Sequence, residues 1–264
     1  EGFYINDINY LSADYGLKEW SNPSFWNMYK YAMCFEAIPS LAFSVSNIIK
    51  SIFGKNKKAL ALDLDNTLWG GVVGDDGVDG IEIGQENGVS QSYYEFQSYI
   101  KQLKSLGIIL TVCSKNDHEN AIAGLNHPEG VLKPDDFIII KANWENKDRN
   151  IAETAAELNI LPDSIVFADD NPAEREIVKA QLKGVQAPLM DSVENYITTI
   201  DRSGFFEVTT FNEDDLKRNE MYKENAMRNA QQASFADYGE YLKSLEGNYR
   251  RFYSCIYSKN YTAY

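Results

Sequence analysis

The residues best suited to chemistry are four carboxylates that follow short apolar runs. Asp63 and Asp65 lie two positions apart after one such run. The neighbours Asp169 and Asp170 follow another. If these acids meet in the fold, they repel each other unless a cation neutralises them or their pKa values rise. Oxygen ligands without a nearby histidine or thiol cluster favour Mg²⁺ over zinc or copper. The pattern predicts a Mg²⁺ site formed by Asp63, Asp65, Asp169 and Asp170.

A second group of residues has the features of a phosphate-binding site. Ser114 follows an apolar run and opens a predicted helix, whose first N–H groups and positive dipole end suit an anion. Lys147 opens another predicted helix and supplies a cation. Thr67 follows the first acidic pair and is expected to bond back and fix that loop. We predict that Ser114, Lys147 and Thr67 form the phosphate-binding part of the site.

A metal, a hydroxyl, a helix terminus and a lysine at one point describe a site for phosphoryl transfer. In this interpretation Asp63 is the nucleophile and takes the phosphoryl group as an aspartyl-phosphate. Asp65 protonates the leaving oxygen and then deprotonates the attacking water. Asp170 holds the metal and Asp169 supports it. Each motif alone also has an ordinary explanation as turn or helix-cap chemistry, but the complete ordered set favours phosphoryl transfer.

The elements that must position these residues follow an α/β pattern. Between about residues 58 and 190, short apolar runs alternate with segments of helical period, which predicts parallel strands joined by crossover helices. The acids are expected at one edge of a Rossmann-like, three-layer parallel sheet, because the carboxyl ends of such strands line the ligand crevice. The predicted strands are Lys58 to Asp63, Ile108 to Cys113, Phe137 to Ile140, Ser164 to Ala168 and a shorter run near Val185 to Ala187.

The predicted helices carry apolar stripes and recognisable ends. One stripe stops at Gly107, where a helix is expected to end, and consists of Tyr93, Phe96, Ile100 and Leu103. A second consists of Ile151, Ala155 and Leu158. Asn171 and Pro172 provide an N-cap and a first-turn proline for a third helix.

The connection from the first acidic pair to the first long helix is short. Residues Gly70 to Ser90 are rich in glycine, which predicts a small β-hairpin flap and no large cap domain. Trp69 and Val72 either line this flap or simply pack within the hairpin. The site should therefore be open and able to admit a bulky partner, whereas an enzyme for a small free metabolite usually benefits from a lid.

Composition limits the classes of function. The chain has 264 residues, a formal net charge of −14 and 44% apolar residues, which indicates a folded domain with an acidic surface. Such a surface disfavours nucleic acid and anionic membranes as partners, and no apolar run reaches the length of a membrane span. Three widely spaced cysteines, Cys34, Cys113 and Cys255, argue against a disulfide framework and for a soluble protein of the cytoplasm.

The two ends of the chain differ from the α/β region. Residues 1–56 are rich in aromatic residues, serine and asparagine, and predict a mostly helical appendage that is the remnant of an upstream domain. Residues 57–205 form the predicted catalytic domain. Residues 206–264 are expected to form a helical extension and tail. The tail places a tyrosine at every fourth position from Tyr249 to Tyr261, which indicates either a binding stripe or a packed or frayed terminal helix.

The ordered motifs resemble those of the haloacid dehalogenase (HAD) superfamily of phosphatases and phosphotransferases. The chain is more closely similar to the FkbH-like proteins of HAD subfamily IIIC. The resemblance covers about residues 57 to 235 and is carried by DLDNTLWGGVVGDDG (Asp63 to Gly77), CSKND (Cys113 to Asp117), Asn143-Trp144 ahead of Lys147, and FADDNPAER (Phe167 to Arg175). It implies a HAD-type catalytic domain in which Asp170, the second acid of its pair, is the direct metal ligand.

Members of the FkbH-like family are associated with making glyceryl-carrier protein from a phosphorylated glycerate. The resemblance therefore implies a substrate of the glycerate phosphate type and an acyl carrier protein as partner, in bacterial polysaccharide, including capsular polysaccharide, or polyketide biosynthesis. Longer members carry an extra N-terminal region and often an acetyltransferase-like domain after the HAD part. Residues 1–56 resemble only the tail of that first region, and the last 16 residues match nothing in the family pattern.

The family resemblance also gives Cys113 a possible role as a thioester nucleophile. It follows a predicted strand next to the start of a helix, an environment that lowers a thiol pKa, although the acidic cluster opposes this. The alternative is a small buried apolar residue at the end of a strand. Cys34 and Cys255 have no such surroundings.

Three functions therefore remain open from the sequence. The first is a Mg²⁺-dependent phosphatase or phosphotransferase that loads a glyceryl-type group onto a carrier protein. The second is a plain phosphohydrolase of a small phosphate ester or phosphoprotein, in which Cys113 is inert. The third is a non-catalytic interaction module of a biosynthetic assembly.

Overall fold

The computed structural model of the protein describes residues 2–209, 217, 219–225 and 228. The chain divides into two compact units, Glu1–Asn219 and Glu220–Tyr264. In the second unit residues 220–225 and 228 are described, and all are helical. The tyrosine stripe from Tyr249 to Tyr261 lies outside the described residues. No helix in the described part of the chain is long and apolar enough to cross a membrane.

Four parallel strands form the sheet at the centre of the first unit. They are β1 (Ala59–Leu62), β2 (Ile109–Ser114), β3 (Ile139–Ala142) and β4 (Ile165–Ala168), in the order β3-β2-β1-β4. Strands β1, β2 and β4 are buried along their whole length, as apolar runs covered on both faces require. The predicted parallel α/β fold is therefore confirmed.

The prediction of a fifth strand near Val185 to Ala187 is wrong, because this stretch forms an isolated bridge and not a strand. Only Gln186 pairs with the sheet there, through a single parallel bridge to Val166 on the free edge of β4. The stretch is too short to form a ladder, because a left-handed glycine, Gly184 with φ of 93°, precedes it and Pro188 follows it.

Helices surround the sheet and precede it. They are α1 (Ile8–Tyr15), α2 (Leu17–Trp20), α3 (Pro23–Tyr29), α4 (Ile38–Ile52), α5 (Val73–Asp76), α6 (Gly88–Ser105), α7 (His118–Leu125), α8 (Lys147–Glu157), α9 (Pro172–Gln181) and α10 (Val193–Arg202). Short 3₁₀ turns lie at Phe35–Ala37, Val78–Gly80, Pro134–Asp136 and Pro162–Ser164.

Helices α6 and α10 cover one face of the sheet. The side chain of Asn87 caps α6 by accepting hydrogen bonds from two N–H groups of its first turn, and Gly107, with φ of 87°, follows its end as predicted. The predicted stripe of α6 is buried, and its Phe96 meets Tyr196 of α10 edge to face. These two helices share one apolar core with Leu60, Leu62, Leu110, Val112, Val166 and Ala168 of the strands.

Helices α8 and α9 lie on the other side. Helix α8 contacts β2, and α9 packs on α8, so the sheet lies between two helical layers. The stripe predicted for α8 is buried, with Ile151, Ala155 and Leu158 each no more than 3% exposed. Asn171 caps α9 through its side chain and Pro172 occupies the first turn, as predicted.

Residues 1–56 are mostly helical, as predicted, and they contact the end of α10. Arg202 forms an ion pair with Asp14 of α1, and the Ser51 hydroxyl donates to the Glu207 carbonyl at 2.9 Å. A small buried cluster of Trp20, Cys34 and Ala37 holds the first helices together. These helices belong to the same compact unit as the sheet.

The flap between β1 and α6 is small and has no cap domain, but it is not a β-hairpin. Its ends meet in one antiparallel bridge, with hydrogen bonds of 3.0 and 2.8 Å between the main chains of Gly70 and Glu82. The chain between them turns through α5 and a 3₁₀ turn. A carboxylate oxygen of Asp76 accepts from the N–H of Val72 at 2.7 Å, and this local bond favours a helical turn over strand pairing.

Candidate active site

The acidic side chains meet where β1 and β4 end side by side. Asp63 directly follows β1, and Asp169 and Asp170 directly follow β4, its parallel neighbour. One carboxylate oxygen from each of the three lies within 4.8 Å of the others. Asp63 is 7% exposed and Asp169 is fully buried, while Asp170 is half-buried. The sheet topology therefore brings three of the four predicted acids together.

Lys147 lies inside this cluster at the start of α8. Its ammonium donates to Asp169 Oδ2 at 2.6 Å and forms an ion pair with Asp63 Oδ2 at 3.0 Å. Burial alone would lower the pKa of Lys147, but the two carboxylates outweigh it and the pKa is raised. Lys147 is therefore charged, and only 4% of it is exposed.

The pKa values of the second acidic pair reflect the crowding. Burial, and then the nearby charge of Asp63, raise the pKa of Asp169 to about 6, against the opposing effect of Lys147. The pKa of Asp170 is raised for the same two reasons. Both carboxylates would regain their ordinary acidity if a further positive charge entered the cluster.

The donor set of the cluster fits a divalent cation. Three ionised carboxylates and one ammonium carry a net charge of −2, which a divalent ion balances. Asp63 Oδ1 is buried and has no hydrogen-bond partner among the described residues, which is unfavourable for a carboxylate oxygen unless something binds it. Asp169 uses both oxygens, one towards Lys147 and one towards the N–H of Asn171. Asp170 has one long side-chain bond, of 3.4 Å, and is the better placed ligand of the pair.

Asp65 lies beside the cluster but does not join it. Its Oδ1 accepts from Trp69 Nε1 at 2.9 Å and from the N–H of Val73 at 3.1 Å, and its Oδ2 accepts from Asn116 Nδ2 at 2.9 Å. Because the carboxylate is turned towards these donors, the structure separates it from the three acids that were predicted to bind metal with it. Burial raises the pKa of Asp65, while the bonds from Val73 and Trp69 act in the opposite direction. A carboxyl group that lies outside the acidic cluster and has a raised pKa suits proton exchange.

Thr67 and Arg175 fix the geometry of the acidic loops. The Thr67 hydroxyl donates to Asp170 Oδ1 at 3.4 Å and accepts from the Asp170 N–H at 3.2 Å, so it bonds across from the first loop to the second. Thr67 is completely buried. Arg175 donates from Nη1 to the main-chain carbonyls of Asp169 and Asp170 at 2.6 and 2.7 Å. The structure thus gives Thr67 the loop-fixing contact expected of it.

Ser114 is the last residue of β2 and is 2% exposed. Within the described residues its hydroxyl makes no hydrogen bond to the protein, whereas its carbonyl accepts from the N–H of Asn143 at 3.1 Å. The hydroxyl is therefore available for another partner. Its assignment to phosphate binding stays a prediction.

The expected lowering of the Cys113 pKa is wrong. The thiol is 1% exposed and donates to the main-chain carbonyl of Lys147 at 3.6 Å. Burial raises its pKa strongly, and the nearby Lys147 only partly opposes this. The prediction considered only the position of Cys113 between a strand and a helix. It did not take into account that β2 is covered on both faces, which buries the thiol. The surroundings match the alternative of a small buried apolar residue.

Three residues support the acidic side chains, although the sequence analysis gave none of them that role. Asn116 and Trp69 hold Asp65, and Arg175 holds the carbonyls of the second acidic loop. All three occur in the motifs that carry the family resemblance, which was the available signal. Of the two residues predicted to line the flap, Trp69 is 1% exposed and Val72 is 37% exposed. The Trp69 ring fills the space beside Gly124 of α7, where an added Cβ would lie 2.8 Å from it.

Comparison with known proteins supports the fold. The chain is similar to the crystal structure of the N-terminal part of the protein BF1531 from Bacteroides fragilis, which contains a phosphatase domain and is complexed with Mg. The two are 41% identical with a TM-score of 0.74, over 77% of this chain and 55% of that one. The present chain thus spans about half the length of that protein chain. No family model and no curated protein matches the sequence.

A second solved structure is much less similar. It is a HAD-superfamily hydrolase of subfamily IA from Geobacter sulfurreducens, with 12% identity, a TM-score of 0.35, and coverage of 54% of this chain and 98% of its own. This likeness is too weak to support an argument.

Proposed function

We propose that this protein is a Mg²⁺-dependent phosphatase or phosphotransferase that works through an aspartyl-phosphate on Asp63. The observation that carries the proposal is the meeting of Asp63, Asp169 and Asp170 within 4.8 Å, with Lys147 between them, at adjacent strand ends. The net charge of −2 and the unpartnered Asp63 Oδ1 fit one divalent ion. The similarity to a phosphatase domain crystallised with Mg supports the choice of magnesium.

In the proposed reaction, a carboxylate oxygen of Asp63 attacks the phosphorus of the substrate. The bond from phosphorus to the leaving oxygen breaks, and that oxygen takes a proton from Asp65 to leave as an alcohol. Asp65, now ionised, removes a proton from water as the water oxygen attacks the aspartyl-phosphate. Breakage of the phosphorus bond to Asp63 then releases inorganic phosphate. In a phosphotransferase, an acceptor hydroxyl replaces the water.

The other residues orient the reacting groups. Lys147 neutralises part of the charge at Asp63 and is placed to bind an oxygen of the transferring group. The Ser114 hydroxyl, free of protein partners, is the second proposed contact. Mg²⁺, held by Asp63 and Asp170 with Asp169 behind them, would screen the negative charge between nucleophile and phosphate. Thr67 keeps Asp170 in position.

The first experiment measures release of inorganic phosphate from a panel of phosphate esters, with Mg²⁺ or with EDTA. We expect release with Mg²⁺ only, and a loss of about 10³-fold or more in Asp63→Asn, because the nucleophile is removed. Asp163→Asn, the same change at an exposed position just before β4 and so at the opposite end of that strand from Asp169 and Asp170, serves as the control and should keep its activity. Absence of release from every ester tried would contradict an enzymatic role and favour the non-catalytic interaction module.

The more specific proposal, that the protein loads a glyceryl group onto a carrier protein, rests on the resemblance to FkbH-like proteins. In it, the glyceryl group of a phosphorylated glycerate that carries a phosphate on its carboxyl group is passed through a protein thiol to an acyl carrier protein. The deprotonated protein thiol attacks the glyceryl carbonyl, and a C–S bond forms as the carbonyl's bond to phosphate breaks and phosphate leaves. The thiol of the carrier then attacks the same carbonyl, and the protein thiol leaves and takes up the proton of the carrier thiol. The buried Cys113 thiol, with its raised pKa, does not support this thiol as the acceptor. The burial of Cys113 is a specific observation in favour of the second candidate, a plain phosphohydrolase of a small ester or phosphoprotein.

Intact-mass measurement separates these two candidates. The protein is incubated with a phosphorylated glycerate and Mg²⁺, and its mass and the released phosphate are followed together. A glyceryl adduct that disappears in Cys113→Ala would support carrier loading through this thiol. Turnover without an adduct, and equal in Cys113→Ala, would support hydrolysis. A cytoplasmic location, and the absence of nucleic acid and membrane partners, stay predictions from the composition.

A further inference from the structure

The carboxylate of Asp65 is held from two sides by parts of the chain that are distant in sequence. The base of the flap contributes Trp69 Nε1, at 2.9 Å, and the N–H of Val73, at 3.1 Å, both to Oδ1. The loop after β2 contributes Asn116 Nδ2, at 2.9 Å, to Oδ2. Trp69 is 1% exposed and Asn116 is 4% exposed, so neither donor competes with bulk water.

These contacts occupy the carboxylate unevenly. A carboxylate has about four lone-pair positions, two on each oxygen. Among the residues that the structure describes, two donors fill those of Oδ1, while Asn116 fills one on Oδ2 and leaves the other open. A proton carried by Asp65 therefore has one place to sit, on Oδ2.

Packing makes this arrangement rigid. The indole of Trp69 lies against Gly124 of α7, and Asn116 is in the loop that leads into the same helix. The flap and α7 thus support the two donors together. A displacement of about 1 Å at a reacting group costs on the order of 100-fold in rate, so rigid support of this carboxyl matters for the reaction.

We propose that Trp69 and Asn116 are positioning residues, which restrict proton exchange by Asp65 to Oδ2 and aim that oxygen at the leaving group. The proposal rests on the proposed function, in which Asp65 is the acid and base. It assigns to Trp69 and Asn116 a contribution to kcat/KM that depends on the leaving group. Substrate binding by Lys147 and Ser114 is unaffected by it.

The test compares substrates whose leaving groups need a proton to different degrees. An alkyl phosphate needs protonation of its leaving oxygen, whereas 2,4-dinitrophenyl phosphate does not. In Trp69→Phe and in Asn116→Ala we expect kcat/KM for the alkyl phosphate to fall by about 10- to 100-fold, a fraction of the usual effect of general acid catalysis. We expect kcat/KM for the dinitrophenyl ester to change by less than about 3-fold, because kcat/KM reports formation of the aspartyl-phosphate and not its hydrolysis, in which Asp65 serves both esters alike.

A second comparison uses the Asp65→Asn variant as background. Residues that act only through Asp65 should have no further effect once its acid function is gone, so adding Trp69→Phe or Asn116→Ala to Asp65→Asn should leave kcat unchanged within about 3-fold. Trp144→Phe is the matched control. Its indole makes the same kind of bond, 2.9 Å to Asp117, but it is 70% exposed and does not contact Asp65.

The outcomes separate this inference from the proposed function. Equal losses on the two esters, or losses that persist in the Asp65→Asn background, would overturn the positioning role while Asp63→Asn still abolished activity. If Asp63→Asn had no effect, the proposed function itself would fail. If Trp69→Phe fails to fold, Asn116→Ala alone tests the positioning role. It removes a smaller side chain, which also donates to the Asp65 carboxylate.

Discussion

Replacement of Lys147 by methionine removes the buried positive charge that joins the two sides of the acidic cluster. The ammonium lies 2.6 Å from Asp169 and 3.0 Å from Asp63, and both carboxylates are almost fully buried. Methionine fills most of the same volume, so the main change is electrostatic. Two buried carboxylates lose their partner, and removing one member of a buried ion pair usually costs about 3–5 kcal/mol.

That loss should lower the free energy of unfolding in EDTA at pH 8 by about 3–5 kcal/mol, or the midpoint temperature by about 6–20 °C for a unit of this size. The loss should be smaller at pH 5. The raised pKa of Lys147 keeps the lysine charged throughout this range, whereas Asp169, with a pKa of about 6, takes up a proton at pH 5 and no longer needs the cation. Urea denaturation at the two pH values measures both effects.

Lys115→Met is the matched control for this experiment. Lys115 forms an ion pair of 2.6 Å with Glu174, but its side chain is 36% exposed, and such a surface pair contributes less than about 1 kcal/mol. Mg²⁺ should restore more stability to Lys147→Met than to the unaltered protein, because the variant cluster carries −3. A loss below about 1 kcal/mol, or one equal to that of Lys115→Met, would refute the electrostatic account of the cluster.

Three further perturbations test other parts of the structure. Gly124→Ala places a methyl group 2.8 Å from the Trp69 ring and should lower the free energy of unfolding, measured by urea denaturation, by about 1–3 kcal/mol. Gly88→Ala, where an added Cβ has no atom within 4 Å, should not lower it, and equal effects would contradict the packing described. Gln97→Met leaves one buried carbonyl and two main-chain N–H groups without their hydrogen-bond partner. It should lower the free energy of unfolding, again measured with urea, by at least about 2 kcal/mol, and an unchanged free energy would contradict this prediction. The folded-state pKa of Asp169, about 6, lies above its ordinary value of 3.8, so the folded state binds more protons between these values and stability falls as pH rises through them. In EDTA this decline should be about 3 kcal/mol larger than in Asp169→Asn, and saturating Mg²⁺ should abolish it; identical pH profiles for the two proteins would contradict it.

Much of the fold was predictable because its signals are local or follow from parallel topology. Strands β1 and β4 are uninterrupted apolar runs and β2 is mostly apolar, and the caps at Asn171 and Gly107 mark helix ends directly. Once the strands are parallel, the side chains that follow them must meet at one edge, and this brought Asp63 and Asp169 together correctly.

The features that were not predicted depend on contacts between distant residues. The carboxylate of Asp65 turns away from the metal cluster because Asn116, 51 positions later, and Trp69 offer donors to it. The pKa of Cys113 follows from coverage of both faces of β2, which no local pattern reveals. The flap was misjudged because glycines signal turns without specifying their type, and one bond from the Asp76 side chain selects a helical turn.

The neighbouring positions of β1 and β4 have a consequence for how the protein unfolds. Ala59 pairs with Ile165, so the seam between these strands closes a loop of about one hundred residues. Because closing so long a loop costs entropy, we expect this pairing to form late in folding. An ion bound by Asp63 and Asp170 would link the ends of the two strands, because Asp63 follows β1 and Asp170 follows β4. It would retard separation of the strands and leave the rate of folding almost untouched, so depletion of the ion would shorten the lifetime of the native state before it changed its shape.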